Sequence, residues 1–385
     1  MGLGCMRFPR KGGRIDQEKT VELVDAAIGS GINYFDTAYV YQGSEEALGK
    51  ALSCVGKREQ VLIATKLPHY MCRKPGDFDR MFNTQLERLS TQWVDYYLMH
   101  MLGNAESWER LKPLGIERWI DEKRSEGKIR NIGFSFHGGR EGFLRLLDAY
   151  DWDCCMVQYN YFDENDQAGA AGVLAAHKKG MPVFVMEPLR GGMLAGGLPK
   201  AATEALYSAD KARSPAEWAL NWVYDQTEVT MALSGMSNME QLTQNVQIAS
   251  RAMPGMIPDS ERPAYKEAVA ALKKSVKVPC SACGYCLPCP SGVDIPSCFA
   301  CYNASYSAGR VRGIMQYMQI TGQMMPVQSD ASKCVACGKC ERHCPQGIQI
   351  PDELTKVKRR MMTLITKPLF ALVRRHWRVK RQPGE

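Results

Sequence analysis

The chain has 385 residues, 45% of them hydrophobic, which is enough for two or three domains with sizeable buried cores. No apolar stretch approaches the ~20 residues that a membrane-spanning helix needs, and we recognise no signal peptide, so we expect a cytoplasmic protein. The net charge is +8, but residues 356–385 carry ten Lys or Arg and one Glu, so the body of the chain is close to neutral.

From residue 1 to about residue 255, short apolar segments alternate with amphipathic ones. We predict strands at Gly2–Met6, Asn33–Asp36, Val61–Lys66, Val94–His100, Ile129–Ser135, Cys155–Tyr159, Pro182–Met186 and Thr230–Ser234. We predict helices at Gln17–Ser30, Glu45–Leu52, Asp77–Leu89, Glu117–Glu126, Gly142–Ala149, Ala168–Lys179, Pro215–Tyr224 and Met239–Ala252. Eight strand–helix pairs over about 250 residues are typical of a (β/α)8 TIM barrel, in which the active site forms at the carboxyl ends of the strands.

The remaining residues divide into a linker, a small domain and a tail. Residues 256–355 contain one predicted linker helix, Ser260–Lys277, and then a small domain with a mostly helical insert at Phe299–Gln323. Residues 356–385 form a basic, amphipathic tail around a largely apolar segment, Met361–Val373. We therefore expect domain boundaries near residues 255 and 355.

Eight of the 15 cysteines lie in two runs within the small domain. The downstream run has the C-x2-C-x2-C-x3-C-P spacing of bacterial ferredoxins and consists of Cys334, Cys337, Cys340 and Cys344. The upstream run consists of Cys280, Cys283, Cys286 and Cys289. Because the last cysteine of each run ligates the cluster of the other run, we predict two [4Fe–4S] clusters in a ferredoxin-like domain. Cys344 then completes the first cluster, and Cys289 completes the second.

Two alternatives to iron–sulfur ligation are less favoured. Zinc sites use C-x2-C pairs rather than runs of four cysteines, and disulfides are rare in a reducing cytosol. One spacing departs from the ferredoxin pattern, because two residues rather than three separate Cys286 from Cys289. Cys298 and Cys301 lie between the runs, and we interpret them as spare thiols rather than ligands.

Four ionisable residues lie at or just after the ends of neighbouring predicted strands. Asp36 ends the second strand, Lys66 the third and His100 the fourth. Tyr41 follows five residues after Asp36. One such residue means little, because charged residues are common where a strand turns to solvent. Four of them on adjacent strands of one barrel indicate a shared catalytic site.

These residues resemble the catalytic tetrad of the aldo-keto reductases. The similarity extends over the whole barrel and includes the Phe35–Ala38 segment, the Gln158–Asn160 segment and the Ser234–Asn245 segment. The cysteine runs, with the Cys283–Pro296 stretch, resemble the branch of that family with a C-terminal dicluster ferredoxin domain. Many relatives begin with a β-hairpin before the first barrel strand, whereas this sequence starts almost on that strand, so we expect a missing hairpin or a truncated start.

The resemblance implies a nicotinamide-dependent oxidoreductase that interconverts a carbonyl group and an alcohol. Tyr41 is then the general acid or base, and the nearby Lys66 ammonium lowers the high pKa of a phenol. Asp36 keeps Lys66 charged and oriented. His100 donates a hydrogen bond to the carbonyl oxygen and positions the substrate.

The resemblance also implies a set of cofactor contacts. Ser135 and Gln158 are expected to contact the nicotinamide, although Phe136 replaces the usual Asn and Met186 replaces a stacking aromatic residue. Phosphate and adenosine contacts are expected from Glu187, Leu189, Arg190, Gly191, Ser234, Gly235, Ser237, Gln241 and Asn245. The Arg190–Gly192 stretch could cradle a pyrophosphate with its backbone N–H groups. Gly235 and Gln241 occupy places where many members carry NADPH-selecting basic residues, so NADPH and NADH both stay open.

The role of the clusters does not follow from barrel chemistry, because a nicotinamide delivers two electrons as hydride and a [4Fe–4S] cluster carries one. Structural, docking, redox-sensing and electron-relay roles remain open, the last with a protein partner. The alternative hypothesis for the whole chain is an electron-transfer or redox-sensing iron–sulfur protein that uses the barrel as a scaffold or as a flavin-assisted site.

The basic tail has three open interpretations: a solvated helix packed on the body, peripheral contact with anionic lipid, and a docking surface for an acidic electron carrier. We recognise no nucleic-acid-binding fold, so we expect no nucleic-acid partner. The expected small-molecule partner is a carbonyl or alcohol substrate.

Overall fold

The computed structural model describes residues 1–307, 309–321 and 328–363, together with residues 366, 368 and 370. The chain divides into two compact units, Met1–Leu189 with Ala216–Pro258, and Arg190–Pro215 with Asp259–Glu385. Within the described ranges, no helix is long and apolar enough to cross a membrane. Most of the predicted basic tail lies outside the described residues.

The first unit is built on a closed barrel of eight parallel strands. The strands of the chain are β1 (Gly2–Gly4), β2 (Arg10–Lys11), β3 (Arg14–Ile15), β4 (Tyr34–Asp36), β5 (Leu62–Leu67), β6 (Val94–Leu102), β7 (Ile129–Phe136), β8 (Cys154–Gln158), β9 (Val183–Met186) and β10 (Met231–Ser234). Their order around the barrel is β1-β10-β9-β8-β7-β6-β5-β4, and β2 pairs with β3 in a separate antiparallel hairpin. The predicted (β/α)8 barrel is confirmed.

Helices follow the barrel strands and also build the second unit. In chain order they are α1 (Gln17–Gly29), α2 (Ser44–Val55), α3 (Gly76–Leu89), α4 (Ala105–Glu109), α5 (Ile116–Ser125), α6 (Arg140–Leu147), α7 (Gly169–Lys178), α8 (Met193–Gly196), α9 (Lys200–Ala209), α10 (Pro215–Tyr224), α11 (Met239–Arg251), α12 (Arg262–Ser275), α13 (Ile295–Ser307), α14 (Arg310–Ile320) and α15 (Ile350–Met361). All eight predicted barrel helices are present. The short helices α4, α8 and α9 were not predicted.

The first predicted strand is too long. It ends at Gly4 rather than at Met6, because Cys5–Arg7 folds into a 3-10 turn at the barrel mouth. The other strand boundaries agree with the prediction to within two residues.

The barrel interior is filled by an apolar layer below the mouth. Its buried members are Tyr34, Ala64, Leu98, Cys154, Met156, Phe184 and Leu233. The rings of Tyr34 and Phe184 pack edge to face with centroids 5.3 Å apart, and Tyr96 completes the aromatic group. Because side chains alternate along a strand, residues two positions further on from this layer also point inward, at the carboxyl ends of the strands.

The second unit has a core of its own. Helices α13, α14 and α15 enclose buried Phe299, Tyr317, Leu354 and Val357, and six of the eight run cysteines pack against this cluster. The predicted linker helix is α12, two residues shorter than expected at each end. The insert is largely helical as predicted, although residues 308 and 322–327 lie outside the described part.

Candidate functional site

Strand alternation places three of the four predicted catalytic residues on the inner face of the barrel. Asp36 is two positions beyond Tyr34, Lys66 two beyond Ala64, and His100 two beyond Leu98. Each therefore points inward above the apolar layer, at the carboxyl end of its strand. All three are buried, with exposed fractions of 6%, 1% and 1%.

Lys66 is held by three oxygen atoms. Its Nζ donates to both carboxylate oxygens of Asp36 and to the backbone carbonyl of Thr37, each at 2.7 Å. Burial lowers the pKa of the Lys66 ammonium, but the charges and hydrogen bonds of Asp36 and Tyr41 outweigh burial and raise the pKa overall. Burial likewise raises the pKa of the Asp36 carboxyl, against the opposing effect of Lys66. Lys66 is thus a fixed and permanently charged group.

Tyr41 lies between Lys66 and His100. The Lys66 ammonium is 5.0 Å from the centroid of the Tyr41 ring, and the His100 ring meets it edge to face at 5.9 Å. Tyr41 is half-buried, and its side chain hydrogen-bonds Lys66. The structure thereby brings all four predicted catalytic residues together.

His100 is a neutral imidazole at physiological pH. Burial lowers its pKa well below the ordinary value, and the neighbouring Lys66, His137 and His69 lower it further. A neutral imidazole keeps one N–H donor, which is the state needed to hydrogen-bond a carbonyl oxygen. The residue after it, Met101, has a φ of +60°, and its backbone N–H donates to the Ser135 hydroxyl at 2.9 Å. Through this hydrogen bond, the left-handed residue Met101 connects the end of β6 to the end of β7.

The predicted nicotinamide contacts Ser135 and Gln158 lie at the same mouth and are buried to 99%. Gln158 donates to the Asp163 carboxylate at 2.8 Å and accepts from Gln167 at 3.1 Å. Asn160 donates to the same Asp163 oxygen and to the carbonyl of Glu187, the residue that follows β9. Asp163 and Gln167 were not predicted, because they lie in a loop without periodicity that only the fold brings next to Gln158.

Phe136 stands where the resemblance leads us to expect an Asn, and it cannot supply the hydrogen bonds of that amide side chain. Its ring packs against Phe143 of α6, with centroids 5.0 Å apart, on the helix side of β7. The next residue, His137, contacts Gln167 through Nδ1 at 3.2 Å. The polar group that follows Ser135 is thus an imidazole one position later, which sequence reasoning missed.

The turn after β10 carries several predicted cofactor residues. Ser234 is buried, and its hydroxyl accepts from Asn245 of α11 at 3.0 Å. Gln241 accepts from the backbone N–H of exposed Ser237 at 2.9 Å. Gly235 lies directly after β10 and leaves space that the stem of Arg7 fills. Arg7 was not predicted as a site residue.

The other predicted phosphate contacts follow β9. Glu187, with a φ of +57°, and half-buried Leu189 belong to the first unit. Arg190 and Gly191 belong to the second unit, where the buried Arg190 guanidinium reaches the Pro279 carbonyl at 3.4 Å. The Arg190 side chain is therefore directed to the residue before Cys280, while the positive φ angles of Gly191 and Gly192 shape a compact loop.

The two cysteine runs have the same backbone conformation. The residue before the second cysteine is Ala282 in one run and Ala336 in the other, with φ of +56° and +53°. A left-handed glycine, Gly284 or Gly338, follows the second cysteine in each run. Non-glycine residues adopt this conformation rarely, so its repetition marks a shared loop that turns three thiols toward one centre.

In each run, thiols lie near a thiol of the other run. Burial raises the pKa of the Cys286 thiol, and the neighbouring Cys283, Cys280 and Cys344 add to the rise. These four cysteines line one cavity with Ile295, Phe299 and Ile348. Burial raises the pKa of Cys340 to about 11, with Cys334 and Cys289 contributing. Cys289 is thus near the downstream run despite its shortened spacing.

The remaining cysteines of the second unit belong to its core. Cys298 and Cys301 are fully buried, and burial raises the pKa of both thiols. In the described part of the chain, no three His, Cys, Asp or Glu side chains are grouped as ligands of a single metal ion. The donor set itself, four thiols from two runs around one cavity, fits a cluster bound by cysteine thiolates.

Comparison with known proteins matches the barrel and the cysteine runs to two different families of domain. The model of the aldo/keto reductase family matches residues 1–255, and the model of a 4Fe-4S dicluster domain matches residues 279–348. NADH-specific methylglyoxal reductase of Escherichia coli is 25% identical over 71% of this chain and 95% of that protein. L-galactose dehydrogenase of Arabidopsis thaliana is 27% identical over 64% of this chain and 82% of that protein. The holo structure of aldo-keto reductase AKR11C1 from Bacillus halodurans has a TM-score of 0.58 and 25% identity, covering 70% of this chain and 91% of that one.

Proposed function

Because the chain belongs to the aldo/keto reductase family and is a nicotinamide-dependent oxidoreductase, we propose that it interconverts small carbonyl compounds and alcohols with Tyr41 as the proton donor. The observation that carries this proposal is the position of Lys66, held by Asp36 and lying beside the Tyr41 ring. A bound reduced nicotinamide supplies hydride to the carbonyl carbon, and the carbonyl oxygen then needs a proton.

The buried residues at the mouth suit this proton transfer. A fixed ammonium next to a phenol favours the phenolate and lowers its pKa toward neutrality, so Tyr41 becomes a usable acid in one direction and a base in the other. His100, neutral and 5.9 Å from Tyr41 between ring centroids, can donate to the carbonyl oxygen as negative charge develops on it. Asp36 acts through Lys66 and is a positioning residue.

Tyr41→Phe tests this assignment. We expect kcat for aldehyde reduction to fall by roughly 10²- to 10⁴-fold, the range for loss of a general acid, with little change in nucleotide affinity. Tyr39→Phe is the matched control, because Tyr39 lies on the same loop but its ring stacks on Arg88 at 4.6 Å. Turnover of Tyr41→Phe equal to that of Tyr39→Phe would contradict the proposal.

The nucleotide is NADPH or NADH, held by Ser135 and Gln158 at the nicotinamide end and by Glu187, Leu189 and the segment after β10 at the phosphate end. Relatives of both types support a nicotinamide nucleotide without selecting one: the Escherichia coli protein is named NADH-specific, and the 22% identical Schizosaccharomyces pombe protein yakc is named for NADP(+). The substrate is a small aldehyde or ketone, as the name methylglyoxal reductase suggests for the former relative.

We further propose that the second unit holds two [4Fe–4S] clusters. The first set is Cys280, Cys283, Cys286 and Cys344, and the second is Cys334, Cys337, Cys340 and Cys289. The proximity of Cys286 to Cys344, and of Cys340 to Cys289, supports this crossed arrangement. When bound, such clusters supply one-electron redox chemistry in addition to a structural cross-link between the runs.

The second candidate function is electron transfer with the barrel as a scaffold. It is favoured by one observation, the exposure of Cys337 in the downstream run, which would bring the second cluster close to the surface and to a protein partner. Under this alternative, carbonyl reduction would be absent or would survive Tyr41→Phe unchanged, so the same experiment separates the two functions.

A further inference from the structure

A basic side chain lies against the uncharged turn after β10. A Cβ atom on Gly235 would lie 3.0 Å from Cδ, 3.2 Å from Cγ and 3.3 Å from Cβ of Arg7, so the stem of Arg7 fills the space that a side chain at position 235 would take. Arg7 ends the Cys5–Arg7 turn after β1, and β1 is the barrel neighbour of β10, with Leu3 opposite Ser234. Barrel closure, rather than sequence proximity, creates this contact.

Among the described residues, none pairs with the charge of Arg7. Arg7 is half-buried, and no residue in the described part of the chain forms a hydrogen bond or ion pair with its guanidinium. The nearby Arg10, in contrast, is exposed and donates to the Gly13 carbonyl at 3.0 Å. A partly desolvated guanidinium without an internal partner is suited to an anionic ligand, and its planar fork matches phosphate oxygens.

The turn beside Arg7 offers no other positive charge. Gln241 is neutral, and its side-chain oxygen is occupied by the backbone N–H of Ser237 at 2.9 Å and the Ser237 hydroxyl at 3.2 Å. β10 is the last strand of the barrel, and loops after the last two strands of (β/α)8 barrels frequently bind phosphate. A phosphate at this turn would therefore meet Arg7 first.

We propose that Arg7 binds the phosphate on the adenosine ribose of NADPH and thereby sets the nucleotide preference of this enzyme. The inference rests on the proposed nicotinamide chemistry and names the residue that selects the cofactor. The positive charge comes from the first loop of the barrel, across Gly235, in place of a basic residue in the last turn.

Arg7→Met tests the assignment by direct binding. The stem is preserved and the charge is removed, with Arg14→Met, in exposed β3, as the matched control. Calorimetric titration of the full chain with NADPH, NADH, 2′,5′-ADP and 5′-AMP measures each affinity. We expect a loss of roughly 10- to 100-fold for NADPH and 2′,5′-ADP, the range for charge-assisted hydrogen bonds, and less than about 3-fold for NADH and 5′-AMP.

A variant that moves the positive charge from position 7 to position 235 gives a second test. Gly235→Lys alone would crowd the Arg7 stem, whereas Arg7→Ala opens that space. The double variant Arg7→Ala/Gly235→Lys should therefore restore much of the NADPH preference that Arg7→Ala loses. Equal losses for NADPH and NADH in Arg7→Met would place the contact on a group common to both nucleotides and overturn the assignment, as would no loss for either. Failure of the unmodified protein to bind any of the nucleotides would refute the proposed function itself.

Discussion

Lys66 lies 2.7 Å from both carboxylate oxygens of Asp36 and from a backbone carbonyl, whereas burial raises the pKa of the Cys286 and Cys340 thiols, one in each cysteine run. In the barrel, opposite charges and hydrogen bonds satisfy each other before any ligand arrives. In the second unit, neutral thiols are weak hydrogen-bond donors and acceptors. They become strong ligands only as thiolates, when a metal displaces their protons. From this contrast we infer that the fold preorganises the proposed catalytic residues of the barrel, while the second unit depends on the clusters proposed for it.

Loss of a cluster ligand should produce the largest difference in thermal stability between the two units. Cys289→Ala removes the ligand that crosses to the downstream run, and we expect about four irons and four sulfides fewer than the about eight of each in the parent protein. Because metal binding contributes directly to the folding of small metal domains, the thermal transition of the second unit should fall by more than about 10 °C, with the barrel transition unchanged. Iron and sulfide analysis with scanning calorimetry measures both effects.

Cys301→Ala is the matched control for this prediction. Cys301 lies between the runs but is buried in the core, so its loss should leave the iron content unchanged and lower stability only by the small amount that a minor cavity costs. Equal iron content in Cys289→Ala and Cys301→Ala would show that Cys289 is not a ligand.

Breaking the charge pair should show how strongly the barrel site is preorganised. Lys66→Met leaves the Asp36 carboxylate buried without its partner, and we expect a loss of about 3–5 kcal/mol in the free energy of unfolding. Asp36→Asn should cost a similar amount by leaving the Lys66 ammonium uncompensated. The double variant Asp36→Asn/Lys66→Met removes both charges and should recover much of the stability while remaining inactive.

Urea unfolding of the three variants gives the coupling energy between the two positions. A double variant as unstable as the sum of the single variants would mean that the ion pair contributes nothing beyond its separate side chains, and preorganisation by charge would be refuted.

The sequence was sufficient to predict that the four proposed catalytic residues lie together, because the information that places them is local. Asp36, Lys66 and His100 each end an apolar strand, and the two-residue period of a strand fixes which face they occupy. The same period, together with eight strand–helix pairs, predicted the barrel. The spacing of the two cysteine runs likewise predicts the crossed ligand sets, which stay a prediction.

The parts that sequence reasoning missed depend on contacts made only in the folded chain. Arg7 meets Gly235 because β1 closes the barrel against β10; the predicted barrel implies that strand pairing, but the sequence does not show which side chain fills the space beside Gly235. The left-handed conformation of Ala282 and Ala336 carries no compositional signal, since glycine is the residue usually expected there. The short helices α4, α8 and α9 lie in loops whose four to ten residues show too little periodicity to identify.

Lowering the pH should reduce the free energy of unfolding of the barrel, because the barrel buries neutral histidines. Burial lowers the pKa of His69 to about 4, and His100 is lowered well below its ordinary value by burial and by Lys66. Between pH 6.5 and about 4 the unfolded chain therefore binds protons that the folded barrel excludes, so stability is complete above pH 6.5 and is lost as the pH falls. His69 should contribute about 1.5 kcal/mol of destabilisation between pH 6.5 and pH 5, and His100 acts in the same direction.

Unfolding of His69→Gln, followed by tryptophan fluorescence at several pH values, isolates one of these contributions. The free energy of unfolding should fall less steeply with acid than in the parent protein, because one excluded proton has been removed. His177→Gln, which alters an exposed histidine of α7, is the matched control. If both variants kept the slope of the parent, His69 would titrate alike in the folded and unfolded chain, and the barrel mouth would be less sealed from water than its burial indicates.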